Sequence, residues 1–408
     1  MNLLDDKYQP LYFQTLRELV RIPSRSSRHG GEEALVQAYV TDRMRKVGAA
    51  VRCFEASDYP EFFTHPLCTG PQRQYSGRPT VLGEIGPPDA PALLVLAHSD
   101  TVPIFEPEKW TRDPYDPGTQ SDIIYGLGVG DDKWGVAALL ILIQSLIESK
   151  VPLAKRLIFA STIDEEHGVS NGVLLLMLAG VQAEAALYLD GGDGQILLGN
   201  LGGSTFYLQP DADLSNEELA ADAQALEQAC RLKSVQREPL FERPYLRDNL
   251  MRATSVSLQR LVDENGIRLA VAFYTVEGEA PQAVQAELET LMAQTLGANL
   301  SRYHITLRQP WFEPAFTDPS TAFVQYMSDS YRAVMKREPH LSRNTKQDAF
   351  VLINHARIPT VSFGAGRTQM PGAYHSPDEF IETELTWKIV QTAHAAVSRW
   401  LATERTTP

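Results

Sequence analysis

"ALLVLAHSD", residues 92–100, decides the fold: six apolar residues in succession end on His98 and Asp100. A run apolar on both sides of the pleat is a strand covered on both faces, as in a parallel sheet. Two further runs share the form. "RLIFASTIDEE" (156–166) runs into Asp164, Glu165 and Glu166, and "AALYLD" (185–190) into Asp190. A fourth, "IPTVSFGAG" (358–366), enters a glycine turn ahead of "AYHSPDEF" (373–380). Between the first two lies "WGVAALLILIQSLIES" (134–149), apolar nearly all round and so a helix covered on most sides. Nearer the start, "GGEEALVQAYVTDRMRKVG" (30–48) sets Val36, Val40, Met44 and Val47 at helical spacing, with Gly48 as the stop. Strands alternating with helices predict an α/β fold with a mixed, mostly parallel sheet, helices on both faces, and ligands beyond the carboxyl ends of the strands. His98, Asp100, Glu165, Glu166 and Asp190 all fall at that edge.

The pattern changes after Asp190. From about Leu201 to Pro310 it reads strand, helix, two strands, helix, strand, the βαββαβ order of a ferredoxin-like α+β unit. A helix, "AFVQYMSDSYRAVMKREP", and the fourth apolar run then resume the first pattern. The expected organisation is therefore a first domain from 1–200 and 311–408 with a second domain inserted at 201–310.

The whole chain sets outer bounds. Its 408 residues, 43% hydrophobic, can bury a large core. A formal charge of -14 argues against a nucleic-acid or anionic-membrane surface, since both demand a basic face. Cys53, Cys68 and Cys230 are too few and scattered for a disulfide framework, which predicts a reducing cytoplasm. The opening "MNLLDDKYQP" lacks the basic and apolar segments of a signal peptide, and no 18-residue apolar run occurs. The chain is expected to stay where it is made.

Charge in "GLGVGDDKWG" (126–135) points to chemistry. Asp131 and Asp132 follow a glycine-rich turn at the mouth of the same crevice, and adjacent carboxylates repel unless a cation holds them. His98, Asp131, Glu166, Asp190 and His375 offer imidazole and carboxylate, ligand types suited to zinc, with no thiolate of a closed structural site. One carboxylate between two ions about 3.5–4 Å apart can bridge them, as two-metal hydrolases require. A lone histidine at a strand end is more often simply hydrogen-bonded; the convergence carries the reading. Two other motifs compete. "GVSNG" (168–172) fits the G-x-S-x-G turn of a Ser170 serine hydrolase, but Ser170 comes several residues after the strand turn and leaves Asp131, Glu165 and His98 unexplained. "GLGVGD" is similar to a dinucleotide fingerprint, yet Asp131 takes the third glycine's place and would face a pyrophosphate.

"HSDTVP" (98–103), "GLGVGDDKWG", "DEEHG" (164–168), "LDGG" (189–192) and "AYHSPDEF", in that order and with "LVRIPS" (19–24) ahead of them, resemble the signature blocks of the M20 family of dinuclear zinc peptidases and deacylases. The resemblance implies that Asp131 bridges two Zn2+ ions, that His98 and Asp190 complete one site, and that Glu166 and His375 complete the other. It implies that Asp100 orients the His98 ring, a support any ligating imidazole needs, and that Glu165 is the general base. It further implies that 1–200 and 311–408 form the catalytic domain and 201–310 its lid, that the Asp131–Asp132 peptide is cis, and that a homodimer forms through the lid. Co2+ or Mn2+ also suits a carboxylate-rich site. The expected substrate is a small peptide or N-acyl amino acid, cleaved at an amide bond in the cytoplasm.

The lid departs from the family pattern. Many relatives carry a lid histidine that steadies the oxyanion, whereas residues 201–303 contain none and His304 is the single histidine of the lid. The strand expected to carry a carboxylate-binding arginine reads Ala-Phe-Tyr. Arg343 in "SRNTKQDAF" (342–350) and the backbone around Gly364 are the candidates for that grip, Arg343 being equally readable as a solvated charge. A metal- and peptide-binding protein without turnover is the alternative function, and the presence of Glu165 argues for the enzyme.

Overall fold

The computed structural model describes residues 4–120, 122–150, 153–246, 255–263, 266–309 and 311–402. In chain order its main elements are α1 (Gln9–Val20), α2 (Ala34–Val47), β1 (Ala50–Phe54), β2 (Thr80–Ile85), β3 (Ala92–His98), α3 (Lys133–Glu148), β4 (Arg156–Thr162), α4 (Asn171–Leu178), β5 (Ala185–Tyr188) and β6 (Ile196–Asn200). There follow β7 (Gly202–Pro210), α5 (Asn216–Arg237), β8 (Val256–Asp263), β9 (Gly266–Thr275), α6 (Pro281–Leu296), β10 (Tyr303–Leu307), α7 (Ala322–Met335), β11 (Thr360–Phe363) and α8 (Thr383–Ala402).

The chain divides into two compact units. One comprises Met1–Gly199, Thr317–Leu341 and Val351–Pro408, the other Asn200–Phe316 and Ser342–Phe350. In the first, strands run in the order β6-β11-β5-β3-β4-β2-β1. The four apolar runs form its parallel centre, β11 beside β5, β5 beside β3 and β3 beside β4. The flanking pairs, β6 with β11, β4 with β2 and β2 with β1, are antiparallel. The sheet is thus mixed, as the sequence predicts. Every residue of β3 is buried, which is why the run carries no alternation. α3 is buried from Lys133 to Ile143, and each fully buried Leu or Ile there contributes ~1.5–3 kcal/mol relative to exposure. α2 ends at Gly48, whose φ of 95° reverses the chain in a conformation that favours glycine.

The second unit has a four-stranded antiparallel sheet in the order β8-β9-β7-β10. With α5 and α6 it makes the expected ferredoxin-like arrangement around Phe206, Leu226, Leu269, Phe273 and Leu288. α5 starts with a capping box, Ser215 accepting from the Glu218 N–H. Ser342–Phe350 also belongs to this unit, a return that places Arg343 in it.

Candidate active site

The first unit gathers its chemistry where parallel strands end. β3 delivers His98, the turn after β4 delivers Glu165 and Glu166, and Asp190 follows β5 by two residues. Asp131 arrives from the glycine turn ahead of α3, and His375 from the loop before Phe380–Glu382. These residues form two trios that share one member. His98, Asp131 and Asp190 make the first and Asp131, Glu166 and His375 the second, and in each trio one donor atom per residue lies within 4.8 Å of the others.

The contacts are direct. His98 Nε2 stands 2.9 Å from Asp131 Oδ1. His375 Nε2 stands 3.1 Å from Asp131 Oδ2 and 2.9 Å from Glu166 Oε2. Burial raises the Glu166 carboxyl to about 7, the nearby His375 charge pulling the other way. Burial also disfavours a charged Asp131, but the bonds from His375 and His98 outweigh it and hold that carboxyl well below the usual range. His375 is pushed up to about 12, burial being overcome by Glu166 and Asp131. Three carboxylates and two imidazoles aimed at one another are a donor set that fits divalent cations of the zinc type.

Asp100 is fully buried and has two tasks. The near partner of His98 Nδ1 is the Asp100 main-chain oxygen at 3.1 Å, with Oδ1 of its carboxylate at 3.6 Å. The carboxylate itself accepts from the backbone N–H groups of Glu165 and Glu166, each at 3.1 Å. The Asp131–Asp132 peptide is cis. Asp164 and His375 both have positive φ, 67° and 59°, a region that non-glycine residues enter uncommonly and Asp and His more readily than most.

Two supporting residues lie inside the quoted blocks, but nothing in their spacing reveals what they bond. Glu379 is buried and accepts from Gly128 N–H at 2.9 Å and Gly130 N–H at 2.7 Å, so the loop bearing His375 holds the turn bearing Asp131. Lys133 is fully buried and donates to Leu19 O and Ile22 O at 3.0 and 2.6 Å.

The other candidates belong to the second unit or are engaged in packing and hydrogen bonds. Gly364 follows β11, and its carbonyl accepts from Gly194 N–H at 2.9 Å, backbone packed too closely against Gly191 for a side chain. His304 belongs to the second unit, exposed on β10 opposite Gln209. Arg343, also in that unit, is 6% exposed, so the solvated-charge reading does not hold: its guanidinium donates to Glu277 at 2.6 Å and lies over the Phe316 ring. Ser170 is fully buried, its hydroxyl donating to Leu67 O at 2.5 Å, which is a structural role and not that of a nucleophile at the sheet edge.

The fold and the donor set together point to one protein family. The chain belongs to peptidase family M20/M25/M40, whose sequence profile matches residues 94–399. It resembles succinyl-diaminopimelate desuccinylase of Xanthomonas oryzae pv. oryzae, 38% identical over 84 residues, 21% of this chain and 22% of that protein. It also resembles N-formyl-4-amino-5-aminomethyl-2-methylpyrimidine deformylase of Bacillus subtilis, 31% identical over 125 residues, 30% of this chain and 29% of that one. The matches thus span between a fifth and a third of the curated relatives' length. Over the whole chain the fold is that of human carnosine dipeptidase 1 (TM-score 0.72, 18% identity, 98% of each chain) and of the di-peptidase Dug1p of Saccharomyces cerevisiae (TM-score 0.73, 16% identity, 98% of each).

Proposed function

We propose that the protein hydrolyses an amide bond in small peptides or N-acyl amino acids with the help of two divalent metal ions. The observation that carries this is the pair of donor trios meeting at Asp131. His98 and Asp190 would hold one ion, Glu166 and His375 the other, and Asp131 both. Bound zinc, cobalt or manganese supplies Lewis acidity at the carbonyl oxygen and makes water more acidic. Glu165, whose main-chain N–H is fixed by Asp100, takes a proton from the attacking water. As the C–N bond breaks, the same carboxyl gives that proton to the leaving nitrogen. The relatives' names, a dipeptidase beside a desuccinylase and a deformylase, support small amides as the substrate class.

The second unit would serve as a lid and as the surface of a homodimer. In support, Leu232 and Val235 are exposed on α5, and β8 stands at the edge of its sheet. Cys53, Cys68 and Cys230 are free, which suits a reducing cytoplasm.

Variants separate the roles. Glu165→Ala should keep its metal and lose turnover by about 10²–10⁴-fold, the usual weight of general acid–base catalysis. His98→Ala and Asp131→Ala should lose metal itself, read by elemental mass spectrometry. A Glu165→Ala protein with full activity would sink the mechanism.

A further inference from the structure

The first acid of Asp164–Glu165–Glu166 belongs to neither trio, yet its side chain is fully buried. Its Oδ1 accepts from Arg73 Nη2 at 2.5 Å, Arg78 Nη2 at 2.9 Å and Ser26 Oγ at 3.0 Å. Its Oδ2 accepts from Arg73 Nη1 at 2.5 Å and Asn171 Nδ2 at 2.7 Å. Arg78 also grips Glu33 through two bonds of 2.6 Å, so two guanidiniums balance two carboxylates in a dry cluster. The Tyr75 ring lies within 6 Å of both guanidiniums. Two glycines make room: a Cβ at Gly168 would meet the Asp164 carboxylate, and one at Gly31 the Glu33 carboxylate and the Arg78 guanidinium.

A buried ion cluster is a poor source of net stability, because desolvation offsets its attraction and apolar packing commonly does as well. What this one provides is placement. Asp164 holds a φ of 67°, a conformation that surroundings must impose on a residue with a side chain. Asp100 takes the N–H groups of the next two residues. Three consecutive positions are therefore fixed, the first through its carboxylate and the others through their backbone.

We propose that Arg73 and Arg78 are positioning residues of the hydrolytic site, two guanidiniums that clamp Asp164 and thereby set where the carboxylates of Glu165 and Glu166 stand. The proposal rests on the reading of Glu165 as base and Glu166 as metal ligand. Neither arginine would touch substrate or metal.

The test compares full-length wild type with Arg73→Lys and Arg73→Met, with Arg78→Lys as a second site should Arg73→Met fail to fold. Three readouts are taken: amide hydrogen exchange of the 164–168 segment, zinc affinity by competition with a chromophoric chelator, and kcat and KM on the best-cleaved member of a dipeptide and N-acyl amino acid panel. Loss of the clamp should speed exchange at Glu165 and Glu166 and weaken zinc binding. It should lower kcat per zinc-loaded site by about a hundredfold, the cost of a ~1 Å misplacement, with KM changed far less. Arg73→Lys should recover part of each loss. A purely structural cluster would lower the melting temperature and leave kcat per loaded site, zinc affinity and exchange at 165–166 as in wild type, and that result overturns the proposal. If wild type cleaves nothing on the panel, or takes up none of zinc, cobalt and manganese, the amide-bond reading fails, while the exchange measurement still decides whether the arginines hold the turn.

Discussion

Lys133 brings an amine into a place without solvent, where burial lowers its pKa to about 7 against the opposing pull of Glu379, and its partners explain it. Its Nζ donates to Leu19 O in the last turn of α1 and to Ile22 O just beyond that helix, the end at which a helix dipole favours positive charge. It thereby ties the start of α3, and Asp131 two residues earlier, to a neighbouring helix. Glu379 does the complementary work by accepting two N–H groups of the glycine turn. Glu379→Ala should cost about 1–3 kcal/mol for each buried N–H left unpaired, measured by denaturant unfolding, together with weaker metal binding. An unchanged midpoint would show that the turn holds itself. These residues also mark where sequence reading stops. His98, Glu166, Asp190 and His375 were legible because each follows an apolar run or a distinctive turn. Lys133 and Glu379 bond main-chain groups 111 to 251 residues away, and such partners leave no trace in local spacing. The same holds for Arg73 and Arg78, which lie between the helical and strand patterns.

Among the elements, strongly patterned segments were the readable ones. β3, β4, β5 and β11 are short apolar runs, and the alternation of helix and strand in the second unit gives its βαββαβ order directly. β1 and β2 were missed for a physical reason: "AVRCF" is largely solvent-facing, and "TVLGEI" is broken by Gly83 and Glu84. The return of 342–350 to the second unit was missed as well, since no pattern distinguishes it from the segments around it. That return leaves Lys346 half-buried, its Nζ donating to Ser204 O at 3.1 Å near the Tyr274 and Phe312 rings. Burial first, and the Arg308 charge second, lower its pKa to about 7 from 10.5. A lowered folded value means that the native state holds this proton less tightly than the unfolded chain. The associated stability is complete above about 10.5 and falls as pH drops through about 7. Lys346→Met should therefore flatten the pH dependence of unfolding across that window, gaining most on wild type near neutral pH. Parallel curves for the two proteins would assign the titration to another group.

At the scale of the molecule, family membership, the mixed sheet and the inserted ferredoxin-like pattern agree with one another, and no helix among the described residues is long and apolar enough to cross a membrane. The net charge of -14 stands beside a site that itself gathers three carboxylates, so a cationic cofactor is favoured both locally and by the overall field. Identity to solved structures is below one fifth for the dipeptidases named above, and the shared property there is the fold. Substrate choice therefore has to come from measurement on this chain. Native mass spectrometry of protein purified without added metal, paired with amide hydrolysis before and after chelation, tests the central claim most directly. The account predicts a dimer carrying about two zinc, cobalt or manganese ions per chain and cleavage that chelator abolishes and metal restores. Protein that arrives free of metal, takes none up on reconstitution, and hydrolyses amides regardless would contradict it.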